Sequence, residues 1–242
     1  MVLTAHQPVY LPWLGLFHKI ALADTFVWFD GVQYLTKDWN NRNKVKTAAG
    51  EIWLTVPVLT AGHREKSIRD IEINNREPWR RKHWRSIHLS YGKARFFDRY
   101  APFLEEVYGR EWQYLSVLNQ HMLVWFLKEL GIAVEFLRAS DLELEGVKSN
   151  LVLDMCERLK ASVYIFGALG KNYARVEDFT GRGIRVVFQD YVHPRYPQQH
   201  GPFASHLSVL DLMMNCGPES LGVIMDGNLS RDEVRRVSIT AG

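Results

Sequence analysis

Residues 2–30 read VLTAHQPVYLPWLGLFHKIALADTFVWFD. The run Val2-Leu3-Thr4-Ala5 is apolar and stops at His6-Gln7-Pro8. A proline-bearing turn with Tyr10, Pro12 and Trp13 follows. A helical pattern then covers 14–23, and a second apolar run over 26–29 ends at Asp30. This order is strand, polar turn, helix, strand. In such a unit the polar groups after the first strand lie at the carboxyl edge of a parallel sheet, where open α/β sheets take their ligands.

The rest of the chain extends this pattern. Residues 31–50 are polar and suit a loop and a hairpin arm, and 52–58 suit a strand closed by Pro57. Residues 68–73 alternate as a strand does. Helices are expected over 77–92, 96–108, 112–130, 149–160 and 207–214, and strands over 134–139, 163–166 and 185–188. Strands alternating with helices predict an α/β fold with a mostly parallel, doubly wound, Rossmann-like sheet. Residues 1–229 are read as one α/β catalytic domain, with 31–110 as an insertion holding the hairpin and a basic, aromatic helix. Residues 230–242 are polar and are read as a flexible tail.

Bulk composition limits the function classes. The 242 residues are 47% hydrophobic, enough for a large core, and carry a formal charge of only +3. That charge gives weak support for nucleic acid as a bulk partner. No apolar run is long enough to span a bilayer, and His6, Gln7 and Pro8 interrupt any signal-peptide core. Cys156 and Cys216 are far apart and lack metal spacing. A cytoplasmic protein with reduced thiols and no structural metal is expected.

Several constellations suit chemistry. His6 at a strand end, before a helix, suits a phosphate or an oxyanion, with Gln7, Tyr10 and Trp13 crowded into the same turn. His18 either faces that pocket or is an ordinary helix-surface histidine. Asp30, Gln33, Trp39, Asn40, Asn41 and Arg42 combine a carboxylate, amides, a cation and a stacking ring, as a sugar or base would require. The alternative is a solvated loop with Asn in its turns. Segment 76–99 holds eight Lys/Arg against Glu77 and Asp98. Arg80, Arg81 and His83 on that helix suit a polyphosphate or single-stranded nucleic acid, unless the face is merely solvated.

Lys148 precedes a helix that Ser149 or Asn150 is placed to cap, but the GxxxxGK[ST] spacing is absent. The turn after 163–166 carries Gly167, Gly170, Lys171 and Tyr173, and its glycines allow close backbone approach to a ligand. Asp190 and His193 are read as a base and its orienting carboxylate, with Tyr196 close by. Ser208 is a candidate cap for the late helix, and Asp211 lies on that helix. No GxSxG elbow exists, which speaks against a hydrolase triad.

The chain resembles the WbqC-like protein family. The resemblance rests on HQPVYLPWLGLFHKIALADTFVWFDGVQY, WNNRNKVK, WLTVPV, PWRRKHW, FGALGKNY and HPRYPQQHGPFASHLSVLDLMMNCGPE. It implies a role in bacterial surface-polysaccharide biosynthesis. The implied activity is transfer of an aminoacyl or acyl group, such as glycyl, to the amine of a nucleotide-linked amino sugar. The implied site positions are His6, Gln7, Tyr10, Trp13, Asp30, Gln33, Asn41, Arg42, Tyr173, Asp190, His193, Tyr196, Ser208 and Asp211. Where the family commonly has Ser-Gly in the second glycine turn, this chain has Phe166-Gly167. The opening unit is also similar to the start of HUP-type nucleotide-binding enzymes, without their HxGH spacing.

The expected function is that transferase, with His6 and Lys171 near phosphate or oxyanion and His193 as base. No cofactor is expected to be tightly bound. The co-substrate is an ATP-derived adenylate, an aminoacyl-tRNA or an acyl thioester. The alternatives are a non-catalytic sugar-nucleotide or RNA-binding protein and a nucleotidyltransferase.

Overall fold

The computed structural model describes residues 1–36, 38–61 and 66–236. Five strands form one sheet: β1 (Val2–His6), β2 (Thr25–Trp28), β5 (Glu135–Arg138), β6 (Val163–Phe166) and β7 (Arg185–Phe188). Their spatial order is β5-β2-β1-β6-β7, and every pairing is parallel. The chain moves outward from β1 through β2 to β5, then returns to the other side of β1 for β6 and β7. This is the Rossmann-like arrangement, and its topological switch point lies between β1 and β6.

The three central strands are continuous apolar runs because helices cover both of their faces. All of Thr25–Trp28 and Val163–Phe166 is buried. Side chains alternate between faces. Phe26 and Trp28 join the core under α1 (Leu14–Ala21), while Leu3, Ala5, Val27, Tyr164 and Phe166 join the core under α5 (Ser149–Arg158) and α6 (Val176–Thr180).

The crossover from β2 to β5 holds the insertion. It contains an antiparallel hairpin, β3 (Arg42–Thr47) with β4 (Gly50–Thr55), then α2 (Trp79–Tyr91), α3 (Phe97–Gly109) and α4 (Leu115–Glu129). Its core is continuous with that beneath α1 and α7 (Val209–Cys216). Two further short helices, α8 (Ser220–Met225) and α9 (Arg231–Arg236), close the described chain.

Three local expectations are corrected. Residues 68–73 do not form a strand but a 3₁₀ turn, Ile68–Asp70, followed by single bridges at Glu72 and Ile73. Ile68 and Ile71 are fully buried, a spacing of three that fits a 3₁₀ turn better than a pleat. Ser149 is the first residue of α5 rather than its cap; its hydroxyl instead accepts a bond from the Arg175 N–H. The segment from Ser230, read as a polar tail, holds a short helix over Arg231–Arg236. Ser230 and Glu233 exchange the reciprocal bonds of a capping box, Val234 is buried, and Arg231 and Arg235 reach Asp24 at 2.5 and 2.7 Å. The remainder of that expected tail, 237–242, lies outside the described residues.

Candidate active site at the carboxyl edge of the sheet

Extending the β1–β6 register places His6 opposite Gly167, at the switch point. The His6 Nδ1–H donates to the Gln7 carbonyl at 2.9 Å, which fixes the tautomer. Nε2 then carries the lone pair and has no hydrogen bond among the described residues. Burial, followed by the charge of Lys19, pushes the imidazole down to about 3, against the opposing pull of the Gln7 bond. The ring is therefore neutral at any ordinary pH.

Lys19 comes from α1, its side chain leaning back toward the helix N-terminus as helical geometry requires. It is only 4% exposed. Its Nζ donates to the Ala5 carbonyl at 2.9 Å. A Cβ built on Gly167 would meet nothing within 4 Å except this amine, at 3.9 Å. Burial pushes the ammonium down to about 7.

The turn after His6 is held by the insertion. Asn40 donates to the Pro8 carbonyl, Asn43 to the Leu11 carbonyl, and the Tyr10 N–H to the Trp39 carbonyl. Leu11 sits at φ 47°, a conformation that needs such outside support. The same clamp lays out an aromatic ladder. His6 and Trp13 are 5.3 Å apart, Trp13 and Trp39 5.9 Å, and Trp39 and Trp53 5.4 Å. The Arg42 guanidinium lies 4.6 Å above Trp53. Trp39 and Trp53 are 36% and 44% exposed, so the far end of the ladder meets solvent.

His6, Trp13, Trp39 and Arg42 thus follow one another along the carboxyl edge of the sheet, with Gln7 next to His6 in the chain and Gly167 opposite His6. Gln33 is exposed near the start of the insertion. Other expected site residues turn inward. The buried Tyr10 hydroxyl donates to His83 Nδ1 at 2.8 Å and lies 2.6 Å from that of Tyr108, while the His83 Nε2–H donates to the Thr55 carbonyl. Both residues are buried where the turn after β1 packs on the insertion, so neither meets a ligand at the surface. The Asn41 amide bonds the Val56 carbonyl. Asp30 accepts both the N–H and the hydroxyl of Ser140, tying the end of β2 to the segment after β5.

The expected Asp190–His193 dyad does not form. The His193 Nδ1–H donates to the Pro194 carbonyl, and Nε2 accepts from the His206 N–H. Both ring nitrogens are occupied by backbone, and Asp190 is exposed. Ser208 caps α7 through the Leu210 N–H. The Asp211 carboxyl is buried, raised by that burial, and bonded by Tyr91, with Tyr196 beside it. Lys46 lies close by, bonded to Gln198 and the Pro202 carbonyl. Tyr196, Ser208 and Asp211 therefore anchor the segment 190–206.

The glycine turn carries Lys171 and Tyr173 exposed. Gly170 is required there because a Cβ would stand 2.5 Å from that of Phe166. Lys148 is exposed at the start of α5. Arg80, paired with Glu111 at 3.0 Å, and Arg81 line a separate open depression of about 620 Å³ at the start of α2.

Sequence reasoning missed Lys19, Trp53 and Gln189. Gln189, at the end of β7, donates to the Gly15 carbonyl and to His18 Nδ1, while the His18 Nε2–H donates to the Leu229 carbonyl. His18 is therefore neither a surface histidine nor free to meet a ligand. A signal for Lys19 existed: apart from His18 beside it, it is the one polar side chain in the LGLFHKIALA segment. Among the described residues no group of three His, Cys, Asp or Glu could hold a metal ion, and no helix is long and apolar enough to cross a membrane.

The chain is 35% identical over 216 residues to the uncharacterized protein Rv1507c of Mycobacterium tuberculosis (strain ATCC 25618 / H37Rv), covering 88% of this chain and 93% of that protein. No solved structure matches. The WbqC-like protein family matches residues 7–223, which include the turn after His6, the three tryptophans of the ladder and the glycine turn, and the chain belongs to that family.

Proposed function

We propose that the protein is a transferase that attaches an aminoacyl or acyl group to the amine of a nucleotide-linked amino sugar in bacterial surface-polysaccharide biosynthesis. The observation that carries this reading is the unpaired Nε2 of a tautomer-locked, neutral His6 at the switch point of a Rossmann-like sheet. Amide formation needs a neutral amine held against an activated carbonyl. A neutral imidazole accepts a hydrogen bond from that amine and orients it. Trp13, Trp39 and Trp53, with Arg42, offer ring faces and a cation to the sugar or base. The activated donor is an adenylate made from ATP or an aminoacyl-tRNA. Arg81, beside the Arg80–Glu111 pair in the depression at the start of α2, is a cation that a phosphate group of either could meet.

The test is mass spectrometry of a nucleotide-linked amino sugar incubated with the protein, ATP, amino acids and charged tRNA, with and without ribonuclease. A mass gain of one aminoacyl group is expected, and its ribonuclease sensitivity assigns the donor. His6→Ala should lower turnover by about 10²- to 10⁴-fold with the fold retained. No mass gain over a panel of amino sugars sinks the reading.

A further inference from the structure

Lys19 is a buried amine that, when protonated, has no counter-ion. Among the described residues no carboxylate pairs with it, and of its three N–H donors one is taken, by the Ala5 carbonyl. Such a group is costly to bury and is usually paired. Its surroundings are specific. His6 faces it from β1, Gly167 from β6, and the adjacent His18 on its own helix is turned to Gln189 and Leu229. Among the described residues His6 is the titratable group seen to interact with the amine. Its neutral ring offers no negative charge. Gly167 lies at φ −72°, ψ 172°, an extended conformation open to any residue. The glycine is thus not demanded by the backbone, and the room beside it is bounded by the amine.

We propose that Lys19, with the Gly167 backbone and His6 beside it, is the seat of the pyrophosphate of a nucleotide-linked substrate. This deepens the transferase reading and rests on it for the substrate class. A phosphate oxygen supplies the missing counter-charge at the point where doubly wound sheets bind phosphates. Because burial lowers the empty-site amine to about 7, it is mostly unprotonated at pH 8, so ligand entry there draws nearly one proton from the buffer onto Nζ, and binding weakens as pH rises. Lys171, the other lysine of this edge, is exposed and plays no part in the seat.

The probes are UDP-N-acetylglucosamine, GDP-mannose and dTDP-glucose, whose phosphodiester groups do not titrate near neutrality, with uridine and N-acetylglucosamine as controls. Calorimetry in buffers of different ionisation enthalpy reads affinity and proton uptake together. The expected result is binding of at least one nucleotide sugar and of neither control, with uptake approaching one proton at pH 8 and falling toward zero at pH 6. Lys19→Met should weaken binding at least tenfold and abolish the uptake. Gly167→Val, which the backbone accommodates, should weaken binding by filling the room beside the amine. Absence of binding, unchanged affinity in both variants, or zero uptake at pH 8 overturns the seat. Lys19-dependent binding without acyl transfer keeps the seat and removes the transferase. Transfer with unchanged affinity in Lys19→Met removes the seat alone.

Discussion

At the scale of the residue, the cost of Lys19 has a sign that can be worked out. Its folded-state value, about 7, lies below the 10.5 of an ordinary lysine. The unfolded chain therefore holds the proton more tightly. The penalty on folding is fully present at pH 7 and below, and it disappears as pH rises toward 10.5. At about 1.4 kcal/mol per unit, the penalty at pH 7 is on the order of 4 kcal/mol. Replacing Lys19 with Met removes it, at the expense of the bond to the Ala5 carbonyl, about 1 kcal/mol. Lys19→Met is thus expected to stabilise the unliganded protein by roughly 3 kcal/mol at neutral pH, with the gap closing toward pH 10. Urea unfolding of both proteins at pH 7 and pH 10 checks this. A variant no more stable than the parent at pH 7 contradicts it. Stability surrendered at one residue without structural return is a mark of a functional site.

Elements were legible where their residues speak for themselves. The central strands are unbroken apolar runs, so β1, β2 and β6 could be placed from sequence, and the amphipathic helices of the insertion likewise. The turn from His6 to Trp13 could be recognised as polar and aromatic. What its side chains touch could not, because their partners are remote: Tyr10 meets His83 73 positions away, and Tyr91 meets Asp211 across 120. The same polar residue type serves a ligand or a fold according to those partners. So Trp13, Trp39 and Arg42 joined the aromatic ladder that starts at His6, while Asn41, Asp30 and Asp211 became braces. The last helix was missed because its signal, Ser230 to Glu233, is only four residues long. Its anchor is Asp24, which also accepts the Val2 N–H at 2.8 Å, and these contacts hold the carboxyl down to about 2 although burial opposes them. Asp24→Asn removes the charge shared by Arg231 and Arg235. It should cost about 1–2 kcal/mol and speed amide exchange in Arg231–Arg236 selectively. Unchanged exchange there would show that Val234 alone holds the helix.

Across the whole molecule, neutral histidines stand at three joints. His83 locks α2 to the hairpin and to Tyr10. His18 locks α1 to the end of β7 and to Leu229. His6 stands at the switch point. Burial pushes His83 down to about 4 and His6 to about 3, and lowers His18 in the same direction. Each folded-state value lies below the 6.5 of the unfolded chain. The stability they confer is therefore complete above pH 6.5. It drains as pH falls from 6.5 toward 4 and then 3, because the unfolded chain takes up protons that the folded one refuses. His83 alone accounts for about 3 kcal/mol over that interval, a large part of the roughly 5–15 kcal/mol that holds a typical protein folded. Asp24 adds a loss in the same direction only below its unfolded value of 3.8, whereas Asp211, raised by burial, opposes the trend. The urea midpoint should therefore fall steeply between pH 6.5 and pH 4, before most carboxylates titrate. His83→Gln lacks the titrating ring and keeps an amide to meet Tyr10 and the Thr55 carbonyl, so it should start lower at pH 7 and decline less with acid. A midpoint that stays level from pH 6.5 to pH 4.5 would mean that the histidines ionise in place, and that these joints open to water without unfolding the rest.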